Sequence, residues 1–170
     1  MCVFGDSGVG KTSLIHRYIT DKFNLDIGRS MGVNLNTKNV YIEGYSINLQ
    51  IWDFVGEERF KILLPSYARG TFGGIFMYDI SNKSSLINLN EWILLFKNKV
   101  VEPKRQIPIL IVGGKLDLYA KRKVNLEDAY SLSDSYDIFG YIECSAKTGE
   151  NVEKVFLTLI TEIMKSSSFL

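Results

Sequence analysis

Gly5-Asp6-Ser7-Gly8-Val9-Gly10-Lys11-Thr12 stands almost at the start of the chain, and its reading decides the fold. It satisfies the Gly-x-x-x-x-Gly-Lys-[Ser/Thr] pattern of a phosphate-binding loop in full. Its flanks agree with that reading. Met1–Phe4 is a short apolar run suited to a buried strand, and Leu14, Ile15, Tyr18 and Ile19 recur at helical spacing. Strand, glycine-rich turn and helix follow one another as the loop requires.

Each residue of the loop has a chemical reason. Gly5, Gly8 and Gly10 let the backbone turn tightly and aim its N–H groups inward at a phosphate. The helix that opens at Lys11 adds its positive N-terminal end. Asp6, Ser7, Gly8, Val9, Gly10, Lys11, Thr12 and Ser13 are thus the candidate cradle. Lys11 would set an ammonium against the β- and γ-phosphates, and the Thr12 hydroxyl is a hard oxygen ligand suited to Mg²⁺. The loop implies a nucleoside triphosphate but neither its base nor its fate.

The rest of the chain alternates. A helix over about 11–21 leads to an aperiodic, loop-like run over 22–31, then to strands at 33–42 and 45–53 joined by the turn signal Glu43-Gly44. The run 54–69 is mixed and charged, with Pro65 restricting a helix. A continuous apolar strand at 73–80 precedes Leu86, Leu89, Ile93, Phe96 and Val100, whose spacing predicts one long amphipathic helix. Pro103 and Pro108 bracket its exit into a strand at 107–112. Asn125 with Asp128 resembles a helix start of capping-box type, the last strand covers 141–144, and Val152, Val155, Phe156, Leu159 and Ile163 mark the final helix. This order predicts an α/β protein: a P-loop NTPase three-layer fold with a six-stranded, mostly parallel sheet and helices on both faces, in a single domain over 1–170.

Composition narrows the function classes. At 170 residues, 46% hydrophobic and 23% charged, the chain suits one soluble globular domain. A formal charge of +1 gives no electrostatic reason for nucleic-acid or membrane-surface binding. Lys121-Arg122-Lys123 is short, lacks aromatic neighbours for stacking bases, and reads as a solvated loop. No apolar run reaches membrane-spanning length. Cys2 and Cys144 fall in predicted strands and read as buried hydrophobes of a reducing compartment. His16, the one histidine, reads as a surface residue of the first helix and leaves little room for histidine-base chemistry. A strand beginning at Met1 lacks its usual lead-in, so tails at either end are left open.

In open α/β sheets ligands lie beyond the carboxyl ends of the strands. Three such ends carry further chemistry. Asp53-x-x-Gly56 offers a carboxylate for Mg²⁺ through water and a glycine N–H for a γ-phosphate, although an Asp-x-x-Gly by itself is a common turn. Lys115-x-Asp117 and Ser145-Ala146-Lys147 are the base readers. A carboxylate can accept from N1–H and the 2-amino group of guanine together, a donor pair that adenine lacks. The stem of a lysine can lie across a purine, and a backbone N–H near Ala146 can reach O6.

Taken in order, these motifs give the chain a plain resemblance to Ras-superfamily small GTPases, and most of all to the Rab branch. Gly5–Thr12, Gln50-Ile51-Trp52-Asp53, Glu58-Arg59-Phe60, Tyr78-Asp79-Ile80 and Glu143-Cys144-Ser145-Ala146-Lys147-Thr148-Gly149 carry it. The resemblance implies a switch that binds GTP or GDP with Mg²⁺ and hydrolyses GTP. Loops of about 23–33 and 54–69 would be ordered by the γ-phosphate and released on hydrolysis. It implies Thr12, Ser30 and Asp53 around the metal, with Phe23, Lys115, Asp117, Leu118, Ser145, Ala146 and Lys147 around the base. Lys11, Gly56 and Glu57 would stand at the reacting phosphate. Leu35, Trp52 and Tyr67 match the family's effector-facing trio, with Leu35 in place of an aromatic. Trp52 would serve equally as core. The partners implied are an exchange factor, a GTPase-activating protein and effectors. The protein itself would be a cytoplasmic monomer, at membranes only indirectly or through a tail, since no cysteine lies near Leu170 for prenylation.

The departures from the family pattern carry their own expectations. Glu57 replaces the glutamine that positions water; ionised, it only accepts hydrogen bonds and adds charge beside an anionic phosphate, so intrinsic hydrolysis should be slow. Ser30 replaces a threonine and is freer at χ1. Gly114 replaces the asparagine of Asn-Lys-x-Asp, which contacts the purine and ties neighbouring loops; each lost bond costs roughly 0.5–1.5 kcal/mol. Phe54 and Val55 are bulkier than the usual Thr-Ala, without a functional account from sequence. The alternative to a slow GTPase is a pseudo-GTPase module that holds nucleotide without hydrolysing it. A P-loop kinase would need an arginine-bearing lid, and no insertion provides one.

Overall fold

The computed structural model describes residues 1–24, 32–97, 107–136 and 138–167, with 58, 59 and 132–135 described by their backbone alone. Strands β1 (Cys2–Phe4), β2 (Val33–Ile42), β3 (Tyr45–Phe54), β4 (Gly74–Asp79), β5 (Ile109–Gly114) and β6 (Gly140–Glu143) form one sheet in the order β2-β3-β1-β4-β5-β6. Only the β2–β3 hairpin is antiparallel, with register from Val33 opposite Phe54 to Ile42 opposite Tyr45. At its turn Glu43 and Gly44 both take positive φ, 49° and 87°, the twist that a tight hairpin favours. The order places β1 centrally, so the loop after it opens at the crevice between β3 and β4. The expected mostly parallel α/β sheet is present.

Helices α1 (Lys11–Thr20) and α7 (Val152–Ser166) cover one face. Helices α2 (Glu58–Lys61), α3 (Leu64–Ala68), α4 (Lys83–Ile87), α5 (Leu89–Lys97) and α6 (Leu126–Ser135) belong to the other side and the strand connections. The central strands are buried on both faces, so their residues alternate between two apolar layers. Val3, Ile75, Met77, Leu110 and Val112 pack with Leu14, Ile15, Val155 and Leu159. Phe4, Phe76, Tyr78, Ile109 and Ile111 pack with Leu64, Trp92, Ile93 and Phe96. Rings join each layer, Tyr18 on Phe156 at 3.8 Å and Phe4 on Phe96 at 4.8 Å. Cys2 and Cys144 are buried free thiols, both pushed up by desolvation.

Three local features differ from the sequence reading. The long helix from Leu86 is two pieces, because Asn88 (φ −70°, ψ −3°) ends α4 before α5 begins. Trp92 N–H still bonds to Asn88 O, so the apolar spacing survives the break; Val100 and Pro103 lie outside the described residues. Pro65 does not exclude a helix, since it stands in the first turn of α3, where its missing N–H has no intrahelical partner to lose. A 3₁₀ helix over Leu116–Lys121, kinked at Leu118, follows β5 where no element was expected. Among the described residues no helix is long and apolar enough to cross a membrane.

Candidate functional site

The loop after β1 is shaped by its glycines. Gly5 takes φ +135°, and a Cβ there would lie 2.1 Å from Met77 O, so no other residue fits against β4. Gly8 and Gly10 also take positive φ. Gly10 is the N-cap of α1 and, having no side chain, makes no cap bond to the helix's first turn, whose N–H groups lie beyond the reach of intrahelical acceptors. Lys11, only 5% exposed, folds back along the loop and donates from Nζ to Gly5 O at 2.9 Å and Asp6 O at 2.6 Å. Burial lowers its pKa to about 8, against the opposing charges of Asp53 and Asp6. Ser7 and Gly8 are exposed, Val9 is buried and Ser13 is half-buried in the first turn of α1.

Thr12 and Asp53 meet across the crevice, Thr12 Oγ1 donating to Asp53 Oδ2 at 2.7 Å. Asp53 is 1% exposed, and its Oδ1 has no partner. Desolvation therefore raises its pKa, more than the Thr12 bond and the Lys11 charge lower it. A buried carboxylate with one oxygen orphaned, beside a threonine hydroxyl, is the donor set of a hard divalent cation. Ser30 lies outside the described residues. Among the described residues no group of three or more His, Cys, Asp or Glu is placed to hold a metal ion.

The segment after β3 lies directly on the phosphate loop. A Cβ at Gly56 would be 2.2 Å from Asp6 C and from Ser7 N, so glycine is required by this close approach. Glu57 follows as the N-cap of α2, half-buried. Phe54 and Val55 now have a packing account. Phe54 is buried edge-on to Tyr67 of α3 at 5.5 Å, and Val55 N–H bonds to Gly32 O. Trp52 is half-buried with its ring 5.0 Å from Tyr67, and Leu35, 47% exposed, lies opposite Trp52 in the hairpin. The three apolar residues of the expected partner face are thus neighbours.

On the base side, Lys115 has φ 62° and caps the 3₁₀ helix. Its Nζ is 2.7 Å from Asp79 Oδ2; Asp79, whose pKa is lowered by bonds from Lys115 and Ser81 despite partial burial, also accepts from Ser81 N–H and Oγ. Asp117 accepts from Ser145 Oγ at 2.6 Å, and Lys147 Nζ is 4.0 Å from its other oxygen. Ser145 Oγ in turn accepts from Thr148 N–H, which rounds the turn that holds Ala146. Arg122 clamps Glu143 bidentately at 2.6 Å, pinning the end of the 3₁₀ helix to β6. Leu118, inside the 3₁₀ helix, and Phe23, after α1, are half-buried.

One anchor had no sequence signal. The Asp6 carboxylate turns away from the loop and accepts from Asn88 Nδ2 at 2.7 Å and Trp92 Nε1 at 2.8 Å. Lys61 of α2 stands 5.1 Å over the Trp92 ring and pairs with Glu91 at 2.6 Å. Helix α5 therefore touches both the phosphate loop and the segment after β3. Only the break at Asn88 brings that amide round to Asp6, and nothing in the helical spacing announces it.

Known proteins agree with this geometry. The family model described as Ras family matches residues 1–165. Rab-8B of Homo sapiens is 37% identical over 164 residues, covering 96% of this chain and 77% of that protein. Rab-13 of Canis lupus familiaris is 38% identical over 167 residues, 98% of this chain and 80% of its own length. Rab-8 of Diplobatis ommata is 38% identical over 164 residues, with 96% and 76% covered. These relationships do not favour a module without hydrolysis. The chain belongs to the Ras family and is a Rab-like small GTPase.

Proposed function

We propose that this GTPase is a Mg²⁺-dependent guanine-nucleotide switch with slow intrinsic hydrolysis, formed as one domain over 1–170. The observation that carries the metal is the Thr12–Asp53 pair with its orphaned Oδ1. With nucleotide present, Thr12 and Ser30 would ligate the ion and Asp53 would hold it through water, leaving the ion to neutralise charge on the β- and γ-phosphate oxygens. Lys11 exchanges its two carbonyl partners for phosphate oxygens, and the N–H groups of Asp6 to Ser13 surround them. Asp117, held by Ser145, accepts from the guanine edge. Ala146 N–H reaches O6, while Phe23, Leu118 and the stems of Lys115 and Lys147 line the ring.

Gly56 brings its N–H to the γ-phosphate, and Glu57 faces the attacking water. An ionised glutamate accepts a hydrogen bond from that water but donates none to the phosphoryl group, and its charge opposes the charge developing there. A GTPase-activating partner that inserts an arginine would supply on the order of a thousandfold or more. Exchange factors and effectors would read the segments at 23–33 and 54–69 together with Leu35, Trp52 and Tyr67. The protein would act as a monomer in the cytoplasm or at a membrane periphery.

Single-turnover cleavage of bound GTP, with and without Mg²⁺, tests this reading on the protein and on Glu57→Gln. The expected result is slow, Mg²⁺-dependent release of phosphate that Glu57→Gln accelerates. Metal-independent release, or no acceleration by glutamine, would overturn it.

A further inference from the structure

Gly114 ends β5 beneath the phosphate loop, at the position where the family's base-reading motif has asparagine. A Cβ built there would lie 2.4 Å from Met77 Cε, 3.0 Å from Val9 O and 3.3 Å from Tyr78 O. The same methyl is 3.4 Å from where a Cβ of Gly10 would stand. Met77 O is what holds Gly5 to glycine, so Met77 meets the loop at its first glycine through its backbone and at its last through its side chain. The residue is 1% exposed, enclosed in the layer with Val3, Val9, Ile75 and Val112.

We infer that Met77 and Gly114 are a matched pair, in which the Met77 thioether fills the room a side chain at 114 would occupy and props Val9–Gly10 from below. Met77 is thereby a positioning residue for nucleotide binding. A methionine suits the task, being unbranched and able to fill an irregular gap. It replaces a directional amide tie by apolar packing, which fixes the height of the loop but not its hydrogen bonding. The methyl is the flexible end of its chain, so an asparagine at 114 displaces it only into an interior that is already filled. This inference rests on the reading that 114 flanks the bound nucleotide.

The test is a double-mutant cycle over Met77→Val, Gly114→Asn and the two together. The readout is release of N-methylanthraniloyl-GDP from the Mg²⁺-loaded protein, with thermal melting of each variant recorded alongside. Met77→Val removes the prop and should speed release by roughly tenfold. Gly114→Asn alone should not slow release, because the methyl stands in its way. The pair should release more slowly than either single variant. A filler with a purely structural role would move the melting temperatures and leave release unchanged. That result, or additive effects on release, would overturn the inference. Failure of the unsubstituted protein to bind the probe at all would defeat the parent reading, and this inference with it.

Discussion

Asp53→Asn should act with opposite sign in the absence and presence of metal. Asp53 is buried, its Oδ1 has no partner within the chain, and desolvation raises its pKa above the ordinary 3.8. An unsatisfied buried polar group costs about 1–3 kcal/mol, more when charged. Asparagine still leaves one polar atom unpartnered there, so only the buried charge is relieved; losing it also removes the attraction to Lys11, and the lower end applies, a net gain of about 1 kcal/mol. For a domain of this size that is a rise of roughly 2–4 °C in melting temperature. The sign agrees with proton linkage. A raised carboxyl pKa means that the folded state binds more protons, so metal-free stability falls as pH rises from the unfolded value through the folded one. If Asp53 holds the ion as proposed, Mg²⁺ and GDP should make the native carboxylate an asset: at a hundredfold excess over Kd, ligand would add about 2.7 kcal/mol to the native protein, and the asparagine variant should lose most of it. Melting curves in EDTA and in Mg²⁺·GDP should therefore cross. A variant less stable under both conditions would show that the Asp53 carboxylate is satisfied without metal and would overturn the assignment.

Further outcomes follow from the same geometry. GDP affinity should fall as pH rises through about 8, because Lys11 in the free protein titrates there and phosphates hold its charged form; calorimetry in two buffers near pH 8 should show uptake of about half a proton, and none would refute the Lys11 assignment. Trp92→Phe removes the Nε1–H bond to the Asp6 carboxylate and should cost about 2 kcal/mol, the scale of a hydrogen bond to a charged group. In an Asp6→Ala background the same change should cost much less, and equal losses in both backgrounds would deny the coupling. Gly56→Ala drives a Cβ into the Asp6–Ser7 backbone, so the segment after β3 must leave the loop. Single-turnover GTP cleavage should drop at least tenfold with little change in GDP affinity, and unchanged cleavage would disprove the close approach.

The parts legible from sequence were those where backbone geometry admits few residue types. The phosphate loop needs glycine where φ is positive and at Gly5, which abuts Met77 O, so the pattern and the conformation coincide. Buried central strands read as apolar runs, and the hairpin showed itself through Glu43-Gly44. Lateral side-chain pairings were not legible. Asp6 could be named as a loop member, but the bonds from Asn88 and Trp92 depend on a helix break that apolar spacing does not encode. Lys115 could be named for the base, but its pairing with Asp79 depends on the left-handed φ at 115 and on the register of β4 beside β5. Phe54 looked anomalous by its size and is ordinary by its packing, because Tyr67 offers a ring edge that only the folded chain brings there. Gly114 likewise reads by sequence as a loss, whereas in the fold the Met77 Cε stands 2.4 Å from where its Cβ would be.

The placement of Trp92 has an optical consequence. The chain has two tryptophans, and they differ in surroundings: Trp92 is fully buried under the Lys61 ammonium and bonded to Asp6, while Trp52 is half-buried against Tyr67. Emission from the first follows the electric field between the phosphate loop and the segment after β3. Emission from the second follows what lands on the surface. An unlabelled sample thus holds two built-in chromophores, one buried beside the phosphate loop and one half-exposed beside Tyr67.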